Sequence, residues 1–553
     1  MSAKPTRAWA APAAALAWGA GLVALARVPP LVARVPCLGV LSGPLGPVLL
    51  VLALTVALAP WVEGRGAGLR PRPPWLFAVA AGLLILAGLT YTTRLSASGD
   101  EPHYLLMAQS LWRDHDLDLE KGVARGDWRE YSAGPIAPHY GSPRRDGRPY
   151  PAHSVGLPVL LAPLYAAGGR SACVVAMALL GAALALQVRG LALGLTGDEG
   201  AALWAWAATV GPPVAFYSFH LYTEVPSALG LAGSLALLLG APGPAGAAAA
   251  ALLASVLPWL HVKMIPAAGV LGLLGLLRLR GRSLAVFLGV AGTMAAVYLA
   301  YFQHIYGHPT PLAIYGGAAP AEPGTSPLRA AAGLLLDRSF GLLPCAPIFL
   351  LALPGIALLA RRPWQQSLPP ALLAVAVLAP VLGWRMWWGG QCPPGRLLVP
   401  LVPFLGLALA LCAAGPPRGL LRWRWPLLLS GLALAAFMIA EPTRLLLLNR
   451  GSRPTRVWAA LSGAWPVGRY LPSLTVADPA EARVALLWVV AIGGLILLDR
   501  LAQGKDSIDR LFRGLGLPLL LALTVGALVD GWARRGSEPA GEGVPLPPEG
   551  RGG

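Results

Sequence analysis

Apolar residues run through this chain in long blocks that are broken by short polar or basic stretches. Each block is close to the roughly 20 residues that an α-helix needs to cross a bilayer. The pattern predicts an all-α polytopic membrane protein with about 13–15 transmembrane helices. The number is a range because the joins between the spans from 220 to 265 are short. The predicted spans are 8–26, 38–60, 75–93, 171–193, 200–219, 222–240, 245–260, 262–279, 284–303, 339–360, 367–385, 397–414, 426–441, 484–502 and 514–532.

Basic residues in the short joins mark one side of this predicted membrane. Lys4 and Arg7 precede the first span, and clusters of Arg and Lys follow spans two, eight, ten, twelve and fourteen. Because cytoplasmic loops carry an excess of Lys and Arg, this side is predicted to be cytoplasmic. The longer polar stretches 94–170, 304–338 and 442–483 then fall outside, where we expect amphipathic interfacial helices. The composition is typical of a high-GC bacterium, which places the multi-pass chain in the bacterial inner (plasma) membrane.

The same pattern divides the chain into four segments. They are 1–74, two N-terminal transmembrane helices and a cytoplasmic loop; 75–441, the membrane core with the first long outer loop 94–170; 442–532, an outer loop and the last two transmembrane helices; and 533–553, a tail. The tail is rich in Gly, Pro and Glu, so it is expected to be disordered. A basic start and Ala24-Leu25-Ala26 also leave open a cleaved signal peptide at the first span.

Composition excludes several other classes of protein. Apolar residues make up 56% of the chain and charged residues 12%, about half of the ~25% that is usual in soluble domains. This balance excludes a soluble enzyme, a disordered chain and a secreted disulfide scaffold. The net charge of +18 does not indicate nucleic-acid binding, because the arginines are scattered between apolar runs. Anionic membrane lipids are the expected partners instead.

An adjacent pair of acids follows the third predicted span, in Ser98-Gly99-Asp100-Glu101-Pro102-His103-Tyr104. Carboxylates at a membrane surface are costly unless they meet a cation, a metal or a substrate. Pro102 suits the first turn of a helix, so the stretch from His103 is predicted to be an amphipathic helix lying on the membrane. The alternative is that Asp100 and Glu101 only cap this helix.

Another acid, Glu224, lies in apolar sequence at the tight outer turn between spans five and six. An ionisable residue in such a setting is a functional-site hypothesis by default. A helix cap in a short turn is the structural alternative.

Four histidines lie in the first outer loop: His103, His115, His139 and His153. Their spacings match no metal-binding motif, which favours ordinary loop histidines, although a divalent metal is left open. The five cysteines have no CxxC spacing. A disulfide between Cys345 and Cys392 at the outer face is also left open.

Several cations on the outer side are candidates for binding a lipid-linked phosphate. They are Lys263, Arg338, Arg385 and Arg396. Lys263 lies in Trp259-Leu260-His261-Val262-Lys263, where a charge is expensive. Arg396 ends the segment that begins with Trp387 and Trp388, which we expect to anchor the chain at the membrane interface. The structural alternative for these cations is snorkelling to lipid head groups.

The order of these motifs resembles the C-type (polyprenyl-phosphate-sugar-dependent) glycosyltransferase superfamily over about residues 75–480. Its protein O-mannosyltransferase and lipid A aminoarabinose transferase branches are the most similar. Asp100-Glu101 matches the family's Asp-Glu pair, and Glu224 stands where the family has its second acid. The run Pro151–Gly169 looks like the family's proline-rich return into the membrane, with His153 near the place of the usual basic residue.

The resemblance implies an inverting transfer of a sugar from a polyprenyl phosphate to an acceptor on the periplasmic face. It implies catalytic roles for Asp100, Glu101 and Glu224. It implies substrate or lipid-phosphate binding by His103, Tyr104, His153, Lys263, Arg338, Arg385 and Arg396. No cofactor is assigned and a divalent metal is left open. The sequence does not identify the sugar or the acceptor.

Other classes of function remain open. A transporter or flippase would explain the spans and the basic outer patches without catalysis, but it predicts ionisable residues at mid-membrane and internal repeats. An O-antigen ligase or polymerase predicts a late outer loop rich in Arg and His, whereas 442–483 has arginines and no histidine. A non-catalytic scaffold is the third alternative.

Overall fold

The computed structural model describes residues 10–66, 71–315, 326–415, 419–442, 456–463, 465–475, 477–501 and 516–535. Within these ranges the chain is helical, and the extended structure consists of one isolated bridge between Tyr140 and Pro151. The α-helices, labelled α1 to α22 in chain order, are Ala10–Leu25, Pro29–Arg34, Leu45–Gly66, Pro73–Arg94, Glu101–Arg113, Leu119–Arg125, Gly156–Thr196, Glu199–Val210, Val214–Tyr217, Glu224–Leu239, Pro244–Leu260, Ile265–Arg278, Gly281–Tyr306, Pro327–Leu336, Leu342–Cys345, Ala352–Leu359, Trp364–Leu382, Val402–Ala413, Arg424–Ala440, Arg456–Leu461, Pro479–Leu501 and Gly516–Arg535.

Among the described residues, eight helical segments are long and apolar enough to cross a membrane. There are nine if Pro36–Ser42 and Leu45–Val56, which meet at 81°, count as one bent span. The eight are Pro73–Arg94, Gly156–Thr196, Gly281–Tyr315, Trp364–Leu382, Arg396–Ala413, Gly419–Ala440, Pro479–Leu501 and Gly516–Ala533. The all-α polytopic membrane fold is thereby confirmed, while the position of the outer loops stays a prediction.

Several predicted spans contain shorter helices than their hydropathy suggests. Between 200 and 279, helices α8, α10, α11 and α12 have 12, 16, 17 and 14 residues. Helix α8 ends at Gly211-Pro212-Pro213, where the prolines lack the amide that a continuing helix needs. A 3₁₀ turn, Val262–Met264, separates α11 from α12. Hydropathy does not detect these breaks because the residues around them are themselves largely apolar.

The proline-rich run Pro151–Gly169 belongs to a longer element than predicted. Its greater part joins the predicted span 171–193 in α7, a single element of 41 residues. Gly168 and Gly169 are non-helical inside it, and Gly169 has a φ of +60°. Helix α7 packs against α4, α5, α8 and α10, so it forms the centre of the bundle around which the site is built.

Helix α5 begins at Glu101 with Pro102 in its first turn, as predicted, but it does not have the exposed amphipathic face that the sequence suggested. Its first ten residues, up to Ser110, are all buried in the protein. Polar residues that suggested an exposed face have hydrogen-bond partners inside the protein. For example, the Tyr131 hydroxyl donates to Oε1 of Gln109 at 2.8 Å. The amphipathic pattern therefore reflects a polar stripe that other parts of the protein satisfy.

Two smaller expectations are also corrected. Trp387 is fully buried, and a Cβ on Gly333 would lie 2.2 Å from its ring, so it is a packing residue and not an interface anchor. Cys345 and Cys392 are both buried free thiols, so they do not form a disulfide. Of the tail predicted from 533, residues 533–535 belong to α22 and the rest lies outside the described residues.

Candidate active site

Four charged side chains from distant parts of the sequence meet in one linked row. Arg396 donates from Nη2 to Asp100 Oδ2 at 2.5 Å and from Nε to Glu224 Oε1 at 3.0 Å. Lys263 Nζ donates to the same oxygen of Glu224 at 3.1 Å. We call Asp100, Arg396, Glu224 and Lys263 the charged row. Its two carboxylates and two cations have no net charge, which lowers the free-energy cost of burying them.

The members of the charged row all lie at the ends of helices. Asp100 directly precedes α5, and Glu224 is the first residue of α10. Lys263 lies in the 3₁₀ turn between α11 and α12, and Arg396 begins the 3₁₀ helix Arg396–Leu401 that leads into α18. The row therefore lies at one end of the helix bundle. The expectation of a site at the periplasmic membrane face stays a prediction.

Helix capping does not account for the two acids of the row. Asp100 occupies the N-cap position of α5, yet its side chain makes no capping hydrogen bond. Its carboxylate reaches Arg396 instead. Glu224 is the first residue of α10, and its Oε1 accepts hydrogen bonds from both Lys263 and Arg396. Both acids are thus held by cations across the bundle.

The row is most buried at Glu224 and partly exposed at both of its ends. The side chain of Glu224 is 0% exposed, and those of Arg396, Lys263 and Asp100 are 9%, 15% and 24% exposed. The second oxygen of Glu224, Oε2, is buried without a hydrogen-bond partner. A buried carboxylate oxygen of this kind is costly unless a ligand satisfies it. The row therefore offers an unused acceptor in its buried part and a partly exposed carboxylate at one end.

Asp100 is ionised in this setting. Burial alone would raise its pKa, but the positive charge of Arg396, with smaller contributions from His153 and His103, lowers the pKa to about 2. An ionised carboxylate only accepts hydrogen bonds, so Asp100 can orient or accept the proton of a hydroxyl group.

Arg396 is fixed by more than the two acids. Its Nη1 donates to the Gly389 carbonyl at 2.6 Å, and its guanidinium carbon lies 4.2 Å from the centre of the Tyr222 ring. The Tyr222 hydroxyl in turn accepts from the Asp100 amide at 3.2 Å. Gly99 has a φ of +61°, and a Cβ there would lie 2.2 Å from the Tyr222 hydroxyl. Tyr222 therefore packs against both the cation and the backbone that carries Asp100.

Glu101 is bound by partners that are not members of the row. Its Oε2 accepts from the Tyr91 hydroxyl at 2.6 Å and from the Ser98 amide at 3.1 Å, and Arg170 lies 3.7 Å away. Its Oε1 accepts from the Leu221 amide at 3.1 Å. These bonds use both oxygens of a fully buried carboxylate and tie α4, the start of α5 and the turn before α10 together.

Some of the other predicted binding residues lie near the charged row, and others lie away from it. Tyr104 is buried on α5, one turn beyond Asp100. Arg338 donates to the Gly468 carbonyl at 2.8 Å and lies 3.6 Å from Glu481, and these partners are outside the charged row. Arg385 is exposed. The contacts thus bring Lys263 and Arg396, and not Arg338, to the acids.

The sequence named His139 only among the four loop histidines, and the fold brings it beside the two predicted binding residues His103 and His153. The His139 ring stacks on His103 with centres 3.9 Å apart, and its Nδ1 lies 3.2 Å from Nε2 of His153. Burial and the neighbouring imidazoles lower the pKa of His103 to about 3. Burial also lowers the pKa of His153. Because His139 and His153 flank a loop, their pairing depends on how the loop closes and is not visible as a spacing motif.

Comparison with known proteins gives matches to solved structures. No protein-family model and no curated protein matches the chain. ArnT from Cupriavidus metallidurans, bound to undecaprenyl phosphate, matches at 13% identity over 84% of this chain and 79% of its own, with a TM-score of 0.43. The oligosaccharyltransferase AglB from Archaeoglobus fulgidus, in complex with an inhibitory peptide and a dolichol-phosphate, matches at 13% identity over 81% of this chain and 56% of its own, with a TM-score of 0.35.

Proposed function

We propose that this protein is a membrane glycosyltransferase that moves a sugar from a polyprenyl-phosphate donor to a hydroxyl or amine of an acceptor on the periplasmic face. The observation that carries the proposal is the charged row. It joins a partly exposed, ionised Asp100 directly to Arg396 and, through the buried Glu224, to Lys263. A base beside preorganised cations suits a reaction in which a proton is lost while a phosphate leaves.

A place for the lipid tail supports a lipid-linked donor. An apolar cavity of about 320 Å³ lies between α11, α12 and α13. Pro258 and Ile265, which line it, stand on either side of the turn that carries Lys263. A larger apolar cavity of about 540 Å³ lies between α16, α17 and α18. We assign the tail to the smaller one because a chain in it would have its phosphate near a cation of the row.

The transfer is a single displacement. The acceptor oxygen or nitrogen attacks the anomeric carbon, and its proton passes to Asp100. The bond between the anomeric carbon and the phosphate oxygen breaks, and its electron pair stays with polyprenyl phosphate, which is released. Arg396 and Lys263 stabilise the negative charge on that phosphate. Attack opposite the leaving group inverts the anomeric configuration.

Because Asp100 is paired with Arg396, its basicity depends on whether the donor phosphate is bound. A carboxylate with a pKa of about 2 is a weak base. A donor phosphate that takes the Nη groups of Arg396 would loosen the hydrogen bond to Asp100 and raise its basicity. The free Oε2 of Glu224 is then available to accept from a sugar hydroxyl. Glu101 acts as a positioning residue, since both of its oxygens are occupied.

The test is transfer from radiolabelled polyprenyl-phosphate sugars (mannose, glucose, galactose and aminoarabinose) in membranes that carry wild type or variants. Wild type should consume one of the donors, and Asp100→Asn should be at least ~100-fold slower, in line with the loss of a general base. Glu120→Gln, which changes an exposed acid beyond α5, should match wild type. Turnover by Asp100→Asn at the wild-type rate would overturn the assignment.

An acceptor-independent arm uses polyprenyl phosphate, the lipid product. Wild type should bind it, and Lys263→Gln should bind it more weakly, because a cation near the cavity is lost. Equal binding by both proteins would argue against a phosphate site at the row and would favour the transporter or polymerase interpretations.

A further inference from the structure

Three histidines converge beside the charged row through a small hairpin. Tyr140 and Pro151 form an antiparallel bridge, and the Gly141 amide donates to the Tyr150 carbonyl at 2.9 Å. At the base of this hairpin the Ala152 amide donates to the His139 carbonyl at 2.8 Å. The pairing brings His139 next to His153, which follows Ala152. The third histidine, His103, comes from the first turns of α5.

The spacing of the three imidazoles fits the coordination of one metal ion. A ligand nitrogen from each ring can be chosen so that all three lie within 4.8 Å of one another. The His139 Nδ1 and His153 Nε2 atoms are 3.2 Å apart. Two nitrogens bound to tetrahedral zinc at about 2.0–2.1 Å lie about 3.3 Å from each other. One edge of the coordination tetrahedron is therefore already at its required length.

The third imidazole has a nitrogen that the protein does not use. His103 is 6% exposed, and its Nδ1 is buried without a hydrogen-bond partner. A buried polar atom normally finds a partner, so this nitrogen calls for a ligand.

We propose that His103, His139 and His153 bind one divalent cation of the zinc class. Imidazole ligands suit zinc and its neighbours rather than calcium or magnesium, which prefer oxygen. Three protein ligands leave a fourth position open for water or for an oxygen of a bound molecule. This site goes beyond the proposed glycosyl transfer and does not depend on it, because metal binding is measured without any turnover.

The experiment uses the full chain, purified in detergent with an affinity tag that contains no histidine. The protein is stripped with a chelator, loaded with Zn²⁺ and desalted, and its metal content is measured by mass spectrometry. Wild type should retain about one equivalent, as a three-histidine site requires. His139→Ala, at an exposed position, should fall to background while its thermal unfolding in the stripped form stays that of wild type.

The matched control is His115→Ala, in the same outer loop but outside the cluster. It should retain as much zinc as wild type. Loading with Co²⁺ should give the intense visible absorption of a tetrahedral site in wild type and His115→Ala, and no such band in His139→Ala. Failure of wild type to retain zinc, or equal retention by wild type and His139→Ala, would overturn the proposal.

Discussion

Arg396 and Asp100 are 296 residues apart in the sequence, yet the guanidinium of one donates a hydrogen bond to the carboxylate of the other. Asp100 directly precedes α5, and Arg396 begins the segment that leads into α18. The site is therefore complete only when the end of the 389–396 segment has packed onto the start of α5. Substitutions at either residue should affect both the chemistry and the cohesion of these two regions.

Arg396→Lys should separate charge from geometry. A lysine keeps the positive charge, but a single ammonium group cannot bridge Asp100, Glu224 and the Gly389 carbonyl as the planar guanidinium does. We expect kcat to fall by at least ~10-fold and the protein to remain folded. Arg396→Gln should lose about 3–5 kcal/mol of stability, because it leaves Asp100 without its cation and Glu224 with Lys263 alone. Transfer rates and thermal unfolding in detergent measure both effects. Wild-type kcat for Arg396→Lys would contradict this role.

Asp100→Asn and Glu101→Gln should have opposite signatures, although the two residues are adjacent. Glu101 accepts from three donors in the interior, so its amide variant should lose stability by about 1–3 kcal/mol. The folded fraction of that variant should keep most of its kcat. Asp100→Asn should retain its thermal stability more fully and lose transfer. Thermal unfolding and transfer rates per folded molecule, measured for both variants, distinguish the two roles. An inactive but stable Glu101→Gln variant would contradict the role of Glu101 as a positioning residue.

Gly99→Ala should disturb the site through a collision with Tyr222. The new Cβ would lie 2.2 Å from the Tyr222 hydroxyl and 2.6 Å from the Gln391 carbonyl oxygen. Gly147→Ala is the matched control, since Gly147 also has a positive φ, +81°, but its Cβ would meet nothing within 4 Å. Both variants carry backbone strain of roughly 1–2 kcal/mol. Only Gly99→Ala should also reduce transfer by 10-fold or more, and equal activities would argue against packing at Tyr222 as a requirement.

Ala291→Trp should obstruct the cavity that we assign to the lipid tail. Ala291 lines the cavity between α11, α12 and α13. Ala374→Trp, in the cavity between α16, α17 and α18, is the control. The first variant should raise the KM for a long-chain donor and leave the KM for a short-chain analogue close to wild type. The reverse result, with Ala374→Trp alone affecting the long-chain donor, would move the tail to the other cavity.

Much of the charged row could be predicted because charge in an apolar context is a local signal. Asp100, Glu224, Lys263 and Arg396 each stand out in sequences where a charge is expensive. The linkage among them could not be predicted, since it depends on four helix ends meeting. The same limit explains His139, whose neighbours are set by hairpin closure. It also explains Arg338, which looked equivalent to Arg396 in sequence but binds the Gly468 carbonyl.

The fold was predictable in kind and less so in its breaks. Long apolar blocks identify a membrane protein, and Pro102 correctly marked the first turn of α5. The burial of α5 was not visible, because a polar stripe satisfied inside the protein has the same pattern as one that faces water. The end of α8 at Val210 is likewise not visible, because it lies in a block that is apolar throughout.

The two sides of the proposed site differ in how far they are enclosed. In Arg396–Ala413, 89% of an 18-residue apolar stretch is buried in the protein. In Gly281–Tyr315, which forms one wall of the cavity that we assign to the lipid tail, the buried share of such a stretch is only 6%. A change in bilayer thickness acts on the surfaces that lipid touches. Thinner or thicker membranes should therefore alter how the donor binds in the cavity, while Arg396 keeps its position inside the protein. Lipid composition would then change the KM for the donor and leave kcat close to its original value.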